Sequence, residues 1–159
     1  MSTHRQSILT RSEITVGYRL SYLANFFVGP LYSEVTRRTG LARSEFVVIF
    51  CLKHLGILMA QDICEITGRP KNSISQAVTK LVRQGLIEKQ VDSADGRRAP
   101  LKITPTGESL YTDIIPLFQQ REQAMLSVLT DREREQFERL LGKLVMRTDH
   151  WEQTESPRE

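Results

Sequence analysis

The sequence predicts a mainly α-helical chain with one small β-hairpin, and three observations lead there. Apolar residues recur at three- and four-residue spacing along most of the chain, which is the period of an amphipathic helix. Glycines and prolines stand at the ends of those periodic segments, where helices start and stop. A single pair of short, alternating runs brackets a polar, turn-rich loop, the pattern of a hairpin.

The first helix is expected to start near Ser12, a good N-cap, and to carry Ile14, Tyr18, Leu20, Leu23, Phe26 and Phe27. Gly29-Pro30 should kink or break it, because proline removes a donor and clashes one turn back. The helical pattern resumes at Leu31 and stops at Gly40, with Arg37 and Arg38 in the last turn, where the helix dipole favours cations. Phe46 to Leu52 then reads as a short buried helix ending near Gly56. Ile57-Leu58 has room only for a stub of strand, and Ala60 to Thr67 is a helix closed by Gly68.

Pro70 to Gln84 is the clearest helix, with Pro70 suited to its first position and Gly85 to its C-cap. Leu86 to Val91 leads out as a strand, Asp92 to Arg98 is a loop, and Pro100 to Ile103 returns. Thr104-Pro105 starts a helix that shows Leu110, Ile114, Leu117 and Phe118 on one side, with a bend expected at Pro116. Thr130 to Glu133 is a capping box, and Phe137, Leu140, Leu141, Leu144 and Val145 stripe the last helix. The tail from Glu152 is polar and reads as disordered.

Size and composition narrow the class of protein. A chain of 159 residues with 40% hydrophobic and 26% charged residues can bury one core without disulfides or metals. No apolar run approaches the roughly 20 residues of a spanning helix, so no membrane partner is expected. Met1 to Arg11 is polar and lacks a secretory apolar stretch, which gives a cytoplasmic expectation. Cys51 and Cys64 form no CxxC pair, and two small buried side chains is the plain reading. His4, His54 and His150 are scattered without metal-ligand spacing, and no phosphate-binding glycine loop or nucleophile elbow appears. Neither an enzyme nor a cofactor is expected.

Charge is unevenly distributed. Between Arg69 and Lys102 stand eight basic residues (Arg69, Lys71, Lys80, Arg83, Lys89, Arg97, Arg98, Lys102) against Glu88, Asp92 and Asp95, a local excess of +5. The whole chain carries only +3, so the remainder is slightly acidic. One basic segment on a weakly acidic body suits a face that meets phosphate.

Spacing residues 100° apart around Pro70 to Gln84 sorts the helix into two faces. Ile74, Ala77, Val78, Leu81 and Val82 form an apolar stripe. Asn72, Ser73, Gln76, Thr79, Lys80 and Arg83 lie opposite, within roughly 60° of Gln76. That face has amides, hydroxyls and cations but no acid. Asn and Gln pair with adenine, and Lys and Arg take guanine or phosphate, so the set suits a DNA major groove. The preceding helix joins through Gly68-Arg69-Pro70, a three-residue turn of helix-turn-helix type. The hairpin follows at once and exposes Arg97 and Arg98 at its tip, with Asp95 placed to hold the Arg97 guanidinium. Arginine on a narrow projection can enter a minor groove. Helix pair plus hairpin gives a winged helix-turn-helix.

From about residue 12 to 147 the chain resembles the multiple antibiotic resistance regulator (MarR) family of transcriptional regulators. The resemblance rests on Leu41-Ala42-Arg43-Ser44-Glu45-Phe46, Lys71-Asn72-Ser73-Ile74-Ser75 and Leu81-Val82-Arg83-Gln84-Gly85-Leu86-Ile87. It also rests on a wing signature, Asp-x-Arg followed by a strand and Leu-Thr-x-x-Gly. Asp95, Arg97, Thr104 and Gly107 match it, with Ile103 in place of Leu. Two departures are Met59, where relatives often carry a Thr or Ser cap, and Gly29-Pro30, within a first helix that is commonly continuous.

The resemblance implies a homodimer built from the first helix and the last two. On that basis residues 1–40 form an N-terminal dimerisation helix region, 41–104 the winged helix-turn-helix lobe, 105–150 the C-terminal dimerisation helices and 151–159 a tail. It further implies a repressor acting on double-stranded DNA at a pseudo-palindromic operator. The expected contacts are Lys71, Asn72, Ser73, Ser75, Gln76, Thr79, Lys80, Arg83, Asp95, Arg97 and Arg98. Many relatives release DNA on binding a small phenolic or aromatic carboxylate. Tyr22, Phe26, Phe46 and Phe50 are the candidates for such a pocket, although aromatics at helical spacing are usually core. Two alternatives stand beside this reading: a thiol-redox-responsive regulator of the same fold, and a winged-helix protein-interaction module without DNA binding. Residues 1–50 contain no Cys, and no cation flanks Cys51 or Cys64 to stabilise a thiolate, which counts against the first. The acid-free helix face counts against the second.

Overall fold

A computed structural model describes residues 8–10, 13–90 and 99–148. Among the described residues the named elements follow in order: α1 (Thr15–Thr39), α2 (Arg43–Leu55), α3 (Ala60–Thr67), α4 (Lys71–Arg83), β1 (Ile87–Lys89), β2 (Leu101–Ile103), α5 (Pro105–Leu126) and α6 (Asp131–Val145). The chain divides into two compact units, Met1–Gln120 and Arg121–Glu159. The order matches the one the sequence predicts, with helix boundaries shifted by a residue or two.

Of the kink or break expected at Gly29-Pro30, the break does not occur: the first helix runs from Thr15 to Thr39 with Pro30 inside it. Proline withdraws a single donor, and the turn that follows is held by tertiary packing. Leu31 is 4% exposed and Val35 is fully buried, while Ser33 Oγ donates to Gly29 O at 3.0 Å. Pro116 likewise lies inside a continuous α5. The start of α1 also differs from expectation: Ile14 occupies the N-cap position without a side-chain cap, and Ser12 lies outside the described residues.

The core of the first unit is built around α2, whose Phe46, Val48, Ile49, Cys51 and Leu52 are all buried. Val35 from α1, Ile63 from α3, and Ile74, Ala77, Val78 and Leu81 from α4 pack into the same cluster. Leu86 and Ile87, Leu101, and Tyr111 and Ile114 from α5 complete it. The predicted apolar stripe of α4 is therefore the stripe that is buried, with Val82 packed at its margin.

β1 and β2 pair antiparallel in the register Ile87↔Ile103, Glu88↔Lys102 and Lys89↔Leu101. Leu58 adds the expected stub, exchanging both backbone bonds with Leu101 at 2.8 and 3.2 Å. Thr104 ends the hairpin and starts α5. Its Oγ1 accepts from Gly107 N at 3.1 Å and donates to Gly85 O at 2.7 Å. Gly107 permits this junction. A Cβ there would overlap Leu86 O and lie 2.8 Å from Ile103 Cγ1.

In the second unit the Thr130 capping box forms as the sequence predicts. Glu133 N donates to Thr130 Oγ1 at 3.4 Å, and Thr130 N donates to Glu133 Oε2 at 2.9 Å. Donation to its carboxylate from Thr130 N and from Thr130 Oγ1, the latter at 2.8 Å, holds the Glu133 carboxyl below its ordinary pKa. The α6 stripe stays largely uncovered, with Leu140 45%, Leu144 52% and Val145 58% exposed.

Candidate nucleic-acid interface

α3 ends at Gly68, whose φ of 62° is left-handed backbone that glycine adopts without strain. The chain then turns through Arg69 and Pro70 into α4, and this sharp reversal fixes α4 across α3. With its apolar stripe buried, α4 presents Lys71, Asn72, Ser75, Gln76, Thr79 and Arg83, all exposed. Ser75, Gln76, Thr79, Lys80 and Arg83 line a shallow groove of about 290 Å³. No described residue of α4 is acidic. The strip therefore offers hydrogen-bond donors and cations without the carboxylates that would repel a polyanion.

Two predicted contacts turn aside. Lys80 Nζ donates to Gly40 O at 3.0 Å and to Glu45 Oε2 at 2.9 Å. Glu45 is itself 7% exposed, and its carboxylate also accepts from Ala42 N at 2.7 Å. Lys80 thus joins α4 to the turn between α1 and α2, at the negative end of the α1 dipole. Ser73 Oγ lies 2.7 Å from Ser44 Oγ, joining the first turns of α2 and α4. Glu45 carried no short-range signal for this role, because its partner is 35 residues away. The start of α3 is handled in a similar way. Met59 supplies no side-chain cap, but Asp62 Oδ2 accepts its N–H at 2.8 Å.

β1 and β2 rise beside α4 and carry Lys89 and Lys102, both exposed. Asp95, Arg97 and Arg98 of the expected wing tip lie outside the described residues.

The four aromatic candidates for an effector pocket occupy different settings. Tyr22 and Phe26 on α1 have ring centroids 4.5 Å apart. Phe46 is 1% exposed and stacks on Phe118 at 4.7 Å and on Tyr111 at 6.2 Å. Phe50 is 43% exposed and packs on His54 at 4.5 Å. His54 Nε2 in turn lies 2.8 Å from Tyr111 Oη. Phe46 thus serves the core, as its helical spacing allows. Cys51 is buried and Cys64 half-buried, and burial pushes the Cys51 thiol above its ordinary pKa. A neutral, enclosed thiol is a poor nucleophile.

Helix pair, crossing hairpin and acid-free polar strip together define a winged helix-turn-helix protein. The comparisons with known proteins agree. The MarR family model matches residues 39–98. HTH-type transcriptional regulator MhqR of Bacillus subtilis (strain 168) is 30% identical over 105 residues, covering 66% of this chain and 72% of MhqR. The chain belongs to the MarR family, whose members are transcriptional regulators rather than enzymes. It spans 66% to 72% of the length of the curated relatives it matches.

Among solved structures, a MarR/EmrR family transcriptional regulator from Acinetobacter sp. ADP1 superposes with a TM-score of 0.73 at 25% identity, covering 94% of this chain and 99% of that one. A mutant MarR from E. coli complexed with operator DNA superposes with a TM-score of 0.70 at 18% identity, covering 82% of this chain and 94% of that one. Among the described residues, no helix is long and apolar enough to cross a membrane.

Proposed function

We propose that the chain is a sequence-specific, duplex-DNA-binding repressor that acts as a homodimer on a pseudo-palindromic operator and is released by a small aromatic or phenolic ligand. The observation that carries this reading is the acid-free exposed strip of α4. Its Asn72, Gln76 and Arg83 have the hydrogen-bonding groups that base edges require. The operator-bound E. coli neighbour supports the same use of the same fold.

Dimerisation draws support from apolar faces that a single chain leaves exposed. On α1 they include Val16 at 66% and Leu23 at 44%, and on α6 Leu144 and Val145 at 52% and 58%. Apolar faces of this kind mark interaction surfaces. A two-fold dimer would set the half-site centres roughly 34–36 Å apart or at a multiple of that. For the ligand, the support is the aromatic surface of Tyr22, Phe26 and Phe50, which remains partly open.

The test is a gel-shift titration with genomic fragments that the purified protein retains. Binding should weaken steeply as salt rises from about 50 to 200 mM, because counterions released from the phosphates drive it. Gln76→Ala and Arg83→Ala should each weaken operator binding by about 1–3 kcal/mol. Arg97→Ala should weaken binding while the dimer stays folded, and an unchanged affinity would take the wing out of the mechanism. Salt-insensitive or absent binding by the intact protein would favour the protein-interaction module instead.

A further inference from the structure

Four cations among the described residues have a carboxylate partner close by. Arg37 and Arg38 pair with Glu34, Lys53 with Glu108, and Lys80 with Glu45. Arg43 and Arg69 do not, since among the described residues neither guanidinium pairs with a carboxylate. They are nevertheless held in one place. Arg43, the first residue of α2, lies 5.3 Å from the centroid of the Tyr32 ring. Arg69, in the turn before α4, reaches Ser44 Oγ with its Nη1 at 3.4 Å. Burial raises the pKa of the Tyr32 hydroxyl, while Arg43 and Arg69 both act to lower it, so each charge is felt at the same phenol.

Arg69 reaches Ser44, the residue after Arg43, so two cations without a paired acid come near each other, and an anion would offset their repulsion. The surroundings favour an anion as well. Ser44 Oγ and Ser73 Oγ, 2.7 Å apart, bring the first turns of α2 and α4 together, and helix N-termini carry partial positive charge. The spot is also contiguous with the base-reading strip. Ser73 and Lys80 form the edge of α4 that faces α2, whereas Asn72, Gln76 and Arg83 form its exposed centre. Arg43 is exposed and Arg69 half-buried, so a ligand can reach both.

We propose that Arg43 and Arg69 form a clamp for a backbone phosphate of duplex DNA, flanking the groove that α4 enters. The clamp rests on the DNA-binding reading above and extends it to two residues outside the recognition helix. Its role is to fix register and orientation, since phosphate contacts carry no sequence information directly.

The experiment measures affinity of the full chain for a fluorescently labelled duplex of mixed sequence, where only the phosphate term operates, across a salt series. Arg43→Gln and Arg69→Gln are made separately, with Arg69→Lys to restore the charge and Gln76→Ala as an uncharged control. In a two-fold dimer each Gln variant removes two cations, so it should flatten the slope of log K against log salt by about 1.8, and Arg69→Lys should recover it. Gln76→Ala should leave the slope as it is. Arg69 makes a single long hydrogen bond, so its loss leaves the fold intact even where Arg43→Gln proves unstable. Binding by the wild type with an undiminished slope in Arg69→Gln overturns the clamp alone. Failure of the wild type to bind any duplex overturns the DNA reading, and the clamp with it.

Discussion

Lys80→Met removes an ammonium while keeping a side chain of similar length and apolar stem. Two acceptors lose their donor, Gly40 O and Glu45 Oε2. The Glu45 side chain is 10% exposed and that of Lys80 32%. Breaking a fully buried pair costs about 3–5 kcal/mol, because one charge is left desolvated without its partner. With Lys80 a third open to water the pair is partly screened, which brings the expected loss to about 2 kcal/mol. In a chain of this size that lowers Tm by about 4–8 °C. Urea unfolding at one fixed protein concentration reads the loss directly, and a cycle with Glu45→Gln isolates the pair. The double variant should be less unstable than the two singles together, by about 1 kcal/mol or more. The salt slope of DNA binding should not change in Lys80→Met, because the ammonium is already engaged within the protein. A coupling near zero, together with a slope flattened by about 1.8, two cations being lost per dimer, would show that Lys80 faces phosphate and that its link to Glu45 has no energetic weight.

Gly107→Ala should destabilise by about 3 kcal/mol, at the upper end for overpacking, because the added methyl meets the Leu86 carbonyl rather than a side chain able to move. Thermal melting checks it, and a shift under about 2 °C would mean that the α5 junction can relax. Thr130→Ala should cost about 1 kcal/mol through loss of the Glu133 N–H acceptor, measured by the same melt. Cys51, buried and with its thiol pKa raised, should resist a thiol reagent in the native protein at pH 8 and react once urea is added. The sign of the linked effect is fixed. The folded state holds this proton more tightly than the unfolded one, so stability falls as pH rises past the unfolded thiol value near 9. Rapid native labelling of Cys51 would contradict that burial.

Features set by local chemistry were readable from the chain alone. The α4 stripe of Ile74, Ala77, Val78 and Leu81 follows from helical period, and Gly68, Thr104 and Thr130 follow from cap and turn chemistry. What was not readable depends on partners far away in sequence. Pro30 looked like a break because its local effect is unfavourable, yet burial of Leu31 and Val35 carries the helix through it. Lys80 and Ser73 sorted onto the polar face by angle, and only their contacts with Glu45 and Ser44, 35 and 29 residues away, show them engaged inward. Arg69 was counted in the basic segment and Arg43 in the resemblance, yet neither was singled out as a contact, for the same reason. Each is an ordinary charged residue until the turn before α4 and the start of α2 are brought together.

Thr104 has a mechanical consequence. One hydroxyl holds the carbonyl of Gly85, just past the end of α4, and the amide of Gly107 in the first turn of α5. The foot of the hairpin is thus tied at both sides, which opposes a pivot of its strands relative to α4. The base of the hairpin and the end of α4 therefore share one anchor point. The same tie carries any tilt of the first α5 turns into the hairpin and α4 as a single rigid motion.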